Sequence, residues 1–349
     1  MLKNRILTAL ALTPLAVLAI LYLPPDGFAV FWGSFMLVSA WEWAGLAGLP
    51  SNAHRIGYSL VVLAFMVILR LTAADWAPIE LPGWFYWPVV AWWFVCGMAF
   101  RKIPERLLQI EYPLGLKLGL GIFILLTAWA SLTWLRVNFS QYQVLYVSAL
   151  IWVADIGAYF VGKRWGNTKL CEAISPGKTV EGVYGALLAT VPFAVAVGFW
   201  SDLSSVTLTD FVALSLATVI VSVIGDLFES LVKRIRGVKD SSNILPGHGG
   251  VLDRVDSLIA ATSVFYAGSM MLNIFIQPPD SNVVLESPIH IEQEVPSQSE
   301  EGEGPAERPV PMDQGGFESP GPEAAEPPAT ESAPEQPPAP AKPAESTHP

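Results

Sequence analysis

Nine apolar stretches recur along this chain, at about residues 1–23, 28–47, 57–74, 83–100, 114–134, 142–162, 181–200, 208–232 and 254–277. A bilayer core takes about 20 helical residues to cross, and it offers no water to the backbone, so segments of this kind fold as helices. The expected fold class is all-α: a polytopic integral membrane protein of about nine transmembrane helices. Eight is the alternative, because 57–74 carries Arg70 and because Trp84, Tyr86, Trp87, Trp92 and Trp93 give 83–100 the look of an interfacial belt. An apolar share of 52% with 13 Trp belongs to the same class. The first stretch follows Lys3 and Arg5 as a secretory signal would. Its apolar part is longer than a typical signal core and ends at Leu23-Pro24-Pro25 without a small-residue cleavage pattern, so it is expected to remain as the first span.

The formal charge of −11 divides unevenly. Residues 1–277 hold 18 Lys+Arg against 16 Asp+Glu, while residues 278–349 hold 2 against 15. The acidity is thus a property of a Pro-, Glu-, Ala- and Ser-rich tail that is expected to be disordered, and nothing suggests a nucleic-acid partner. The organisation expected is N-terminal transmembrane helices over 1–140, a catalytic transmembrane region over 141–277 and the acidic tail over 278–349. Arg55, Arg101, Lys102, Arg106, Lys163, Arg164, Lys169, Lys178 and the bases of 233–254 fall on one side of the nine-span arrangement with Lys3 and Arg5. Only Arg136, with Arg70 near its edge, falls on the other, which predicts that the N-terminus and the basic loops are cytoplasmic. Cys96 and Cys171 have neither disulfide nor metal-ligand spacing and are expected to be free thiols.

Between the last two apolar runs lies a polar stretch, residues 226–256, DLFESLVKRIRGVKDSSNILPGHGGVLDRVD. Asp226, Ser230 and Lys233 share one face of a helix at i, i+4 and i+7, with Glu229 filling it. Gly247-His248-Gly249-Gly250 cannot be helix interior, and its glycines can bring backbone N–H groups close to an anion. Asp253 and Asp256 then stand at i and i+3 beside Arg254. Two acidic clusters flanking a basic glycine loop fit a magnesium–nucleotide site, since Mg²⁺ takes few protein oxygens and fills its shell with water and phosphates. The plainer alternative is a juxtamembrane basic loop against lipid headgroups. Glu42, between Trp41 and Trp43, reads as an interfacial acid, with a group facing the site as the other reading; Asp155 lies on a helix face leading to Lys163-Arg164 and points toward the site loop. His54, His290 and His348 read as surface residues.

The run Ser230-x-x-Lys233-Arg234, then Lys239-Asp240, then Leu245-Pro246-x-His248-Gly249-Gly250-x-x-Asp253-Arg254-x-Asp256 is similar to the signature of the phosphatidate cytidylyltransferases, or CDP-diglyceride synthases. Ser175-Pro176-Gly177-Lys178-Thr179-x-Glu181-Gly182 also resembles that family, and it is no Walker loop, because Glu172 stands where that loop needs its first glycine. The start of the following helix, near Glu181, is expected to offer free N–H groups to an anion. The resemblance covers residues 150–270 strongly and implies the reaction of CTP with phosphatidate to CDP-diacylglycerol and pyrophosphate, with Mg²⁺ as cofactor. It implies Asp226 and Asp253 as metal ligands and Asp256 as a third ligand or orienting acid. Lys233, Arg234, Lys239, His248 and Arg254 would hold the phosphates, His248 as a donor, with Ser175, Lys178, Thr179, Ser230, Gly249 and Gly250 in substrate binding. The expected setting is a bacterial inner membrane with the site facing the cytoplasm; membrane lipids are the surrounding partners and a homo-oligomer is left open. The alternatives weighed are an enzyme joining CDP-diacylglycerol to an alcohol, whose D-G-x-x-A-R run is absent, and a transporter using Asp155, Asp226 and Glu42 as an ion path.

Overall fold

The computed structural model describes residues 13–72, 86–245 and 247–276; the tail at 278–349, the chain's first twelve residues and Pro246 lie outside the described residues, as do His290 and His348. Helix α1 covers Thr13–Tyr22. It is followed by α2 (Pro25–Ala47), α3 (Asn52–Thr72), α4 (Tyr86–Lys102), the short α5 (Pro104–Gln109), α6 (Leu114–Asn138) and α7 (Gln141–Trp165). Strands β1 (Lys169–Cys171) and β2 (Ser175–Thr179) then lead into α8 (Val180–Trp200), α9 (Ser205–Arg236) and α10 (Leu252–Leu272).

Within the described residues, each apolar stretch of the sequence thus contributes to a helix. Among the described residues six helices are long and apolar enough to cross a membrane: α3, α6, α7, α8, α9 and α10. The 57–74 stretch, doubtful by its Arg70, is one of them, because Arg70 sits in the last turn of α3 and reaches the Asp26 carboxylate at 3.2 Å. The 83–100 stretch gives a 17-residue helix, and α2 dilutes its apolar content with Trp, Gly, Ser, Asp26 and Glu42. The segment 163–182 departs from pure helix. An antiparallel hairpin pairs Lys169 with Thr179 and Cys171 with Ser175, with the turn between them. Both cysteines are free, as expected, and both are buried.

The helix ends follow local chemistry. Ser140 and Ser204 cap α7 and α9 through their side chains, and Gly48 and Gly237 end α2 and α9 in the left-handed conformation. Tryptophans stitch α2 to α6: Trp32 Nε1 donates to Ala128 O at 3.3 Å, Trp129 Nε1 to Ala29 O at 3.0 Å, and Trp43 Nε1 to Lys117 O at 2.9 Å. In an apolar surround such bonds take the place of absent water. Phe228 of α9 is caged by Trp43, Trp92 and Trp93 at ring distances of 5.8–5.9 Å. Where α9 meets α10, a Cβ added at Gly225 would lie 2.9 Å from Asp256 O, so glycine lets the two backbones touch.

Candidate active site

The C-terminal ends of α7 and α9 meet the N-terminal ends of α8 and α10, and there the polar residues gather. A cavity of about 700 Å³ is lined by Asp226, Ser230, Lys233 and Arg234 of α9, by Lys239, Asp240, Leu245 and His248 of the following loop, and by Asp253, Arg254 and Asp256 of α10. The same cavity is lined as well by apolar and aromatic side chains, Phe28, Phe31, Trp32 and Phe35 of α2 and Ile151 and Trp152 of α7. A second cavity of about 480 Å³ is lined by Tyr159, Lys163, Lys178 and Thr179, and Asp155, Asp226 and Ser257 line both. Asp226 is therefore the wall between them. Its Oδ2 pairs with Lys178 Nζ at 2.6 Å, and Ser230 Oγ lies 3.4 Å from Oδ1. Asp155, placed by its helix face near the loop, joins that wall.

Asp253 is held differently. Its Oδ1 takes Lys233 Nζ at 2.7 Å. Its Oδ2 takes Ser241 N at 2.9 Å, Gly250 N at 2.8 Å and the Ser241 hydroxyl at 3.0 Å. Lys233 is bonded in turn to Glu229, which is 3% exposed. Asp253 is thus the knot that ties α9 and the loop to α10, and the Lys233 charge is already matched by two carboxylates. Asp256 is less engaged, its Oδ1 accepting from Ser257 N at 2.7 Å.

The glycine loop turns as the sequence demands. Gly247 and Gly249 have φ of 81° and 83°, the left-handed region that favours glycine, while Leu245 N donates to Gly249 O and His248 N to Leu245 O, both at 2.9 Å. Arg234 Nε donates to Ile174 O at 3.2 Å, fastening the hairpin to the end of α9. Ser175 lines neither cavity. Thr179 accepts from Gly182 N at 3.1 Å and so caps α8. The start of α8 does not offer its N–H groups freely, because Val180 N also donates, to Thr168 O at 2.9 Å. Glu181 closes the hairpin by accepting from Asn167 N and Thr168 N. Lys178 alone of that segment reaches an acid of the site.

The reading of Glu42 as an interfacial acid is corrected. It is 1% exposed, and it faces the site loop instead of lying at an interface. His54 is exposed at the α2–α3 turn, its Nδ1 within 2.6 Å of Ser51 Oγ, well away in sequence and role from the site.

Fold and site together define a polytopic helical membrane protein that gathers bases and carboxylates at one end of its bundle, in a cavity that apolar and aromatic side chains also line. The family model of the cytidylyltransferase family matches residues 3–272. Relatives named phosphatidate cytidylyltransferase are 42% identical over 270 residues in Pseudomonas aeruginosa, covering 76% of this chain and 96% of the relative. In Haemophilus influenzae the identity is 35% over 292 residues, covering 76% and 97%, and in Brucella suis 32% over 277, covering 76% and 92%. The chain belongs to the cytidylyltransferase family.

Proposed function

We propose that this protein transfers the cytidylyl group of CTP to phosphatidate, giving CDP-diacylglycerol and pyrophosphate. The observation that carries the reading is one cavity lined both by cationic side chains and by aromatic and apolar ones: a phosphate and an acyl chain of one molecule need both. The naming of the relatives supports it. A phosphate oxygen of phosphatidate attacks the α-phosphorus of CTP, a P–O bond forms, and pyrophosphate leaves with the electrons of the broken bond. Two polyanions must approach, so positioning and charge neutralisation dominate. Lys178, Lys239, His248, Arg254 and the terminal nitrogens of Arg234 are the groups placed for this. Lys233, already bonded to Glu229 and Asp253, positions the acids. The lipid phosphate is an anion near neutral pH and needs no strong base.

The residues fit Mg²⁺. Among the described residues no group of three His, Cys, Asp or Glu makes a ready cage, and Mg²⁺ normally takes one or two carboxylates and completes its shell with water and phosphate oxygens. Asp226 and Asp256 line the cavity with fewer bonds to the chain, whereas Asp253 accepts from Lys233, Ser241 N and Gly250 N and shares the Ser241 hydroxyl proton, so Asp226 with Asp256 is the pair we assign to the ion. Bound there, Mg²⁺ would polarise the α-phosphate and screen the leaving pyrophosphate. Purified protein given labelled CTP, phosphatidate and Mg²⁺ is expected to form CDP-lipid; no product would refute the reading.

The basic residues around the site, with the positive-inside rule, support an inner-membrane protein whose site faces the cytoplasm. Alkaline phosphatase is active only outside the cytoplasm, so a fusion within 235–245 should be silent and one after Pro349 active if there are nine spans. The reverse pattern, an active 235–245 fusion beside a silent C-terminal one, would mean eight spans, with 57–74 or 83–100 not crossing.

A further inference from the structure

Among the helices that build the site, α10 begins without a cap of its own: its N-cap residue is Val251, whose side chain can accept no hydrogen bond. The missing acceptor comes from a residue more than 200 positions earlier. Glu42 Oε1 accepts from Val251 N at 2.9 Å and Oε2 from Leu252 N at 2.6 Å. The same carboxylate takes Ser242 Oγ at 2.5 Å and lies 3.1 Å from Ser241 Oγ. Ser241, between Glu42 Oε2 and Asp253 Oδ2, has one hydroxyl proton to share between two carboxylates. Among the described residues Glu42 makes no salt bridge. A carboxylate this deeply buried is held instead by three donors of its own, by a share of the Ser241 proton and by the positive end of the α10 dipole.

Gly250 gives a second, independent observation. A Cβ placed there would stand 2.5 Å from Glu42 Oε1 and 2.7 Å from its Cδ, and closer still to Ser241 Oγ. The glycine is therefore required by the carboxylate seated against it as well as by the loop. We infer that Glu42 is a positioning residue for cytidylyl transfer: it caps α10 from α2 and latches the 241–252 loop, and so sets where His248, Gly249, Arg254 and Asp256 stand against the triphosphate. The inference rests on the proposed reaction.

The test uses the full chain in detergent, with CDP-lipid formation followed at varied CTP. Wild-type protein without turnover would refute the reaction itself and is read first. Given turnover, Glu42→Gln keeps the shape but turns an NH₂ group toward N–H donors, and it should raise KM for CTP and lower kcat/KM by about tenfold or more, the scale of one buried donor left unpaired. Glu42→Asp, which keeps two acceptor oxygens, should recover part of the loss. Gly250→Ala should mimic Glu42→Gln, and in combination with Glu42→Ala, which removes one of the two groups its methyl would meet and leaves the other, the Ser241 hydroxyl, free to rotate away, the two losses should be less than additive. Unchanged kinetics in Glu42→Gln would overturn the proposal. So would a loss that follows only from a lower unfolding temperature at unchanged KM, or full additivity in the double variant, because each would make Glu42 a packing residue.

Discussion

Asp226→Asn is expected to lower turnover by about a thousandfold or more while the protein still inserts and stays folded, the scale seen when a group that stabilises transition-state charge is lost. Asparagine keeps the volume and the contact with Ser230 but removes a hard anionic ligand and the partner of Lys178, which stands 2.6 Å away. The freed Lys178 would then be drawn to substrate phosphate, so CTP binding should be retained while chemistry fails. Isothermal titration with CTP alongside CDP-lipid formation separates the two, and near-normal turnover would remove Asp226 from the metal site. Asp253→Asn should behave otherwise. It loosens the bonds to Lys233, Ser241 and Gly250, so its defect should include weaker CTP binding and easier proteolysis of the 237–250 loop.

Gly249→Val is expected to abolish measurable CTP binding. The φ of 83° at Gly249 is one that a β-branched residue rarely adopts, and its Cβ would lie 2.7 Å from Asp253 Oδ2 and 3.3 Å from Asp240 Cβ. The strain falls on the carboxylate that holds the loop to α10, so both the backbone approach to phosphate and the position of Asp253 are lost. His54→Ala, at the exposed α2–α3 turn, should leave binding unchanged. Should Gly249→Val bind CTP as tightly as the parent, the loop would be a connector and nothing more.

These predictions differ in how far the chain alone could reach them. Spans, helix faces and turn glycines are local properties: a period of 3.6, about 20 apolar residues or a left-handed glycine is written in neighbouring positions. The sequence by itself therefore determined the helical membrane architecture and the polar stretch at 226–256, with Lys178 beside it. Thr179 carries the residue type and place of a helix cap, and it caps α8 while lining the second cavity.

What only the tertiary structure decided is which polar group meets which. Asp226 and Asp253 have the same chemistry and similar settings along the chain, yet one pairs with Lys178 where two cavities meet and the other is taken up by Lys233, Ser241 and Gly250. An acid within an apolar run was reason enough to suspect Glu42, but its partners Val251 and Leu252 follow from the depth at which α2 packs beside α10. Register between helices is set by the fit of side chains such as Phe228 among three tryptophans and of Gly225 against Asp256 O. That fit is a sum over many contacts distant in sequence, and no single stretch of residues encodes it.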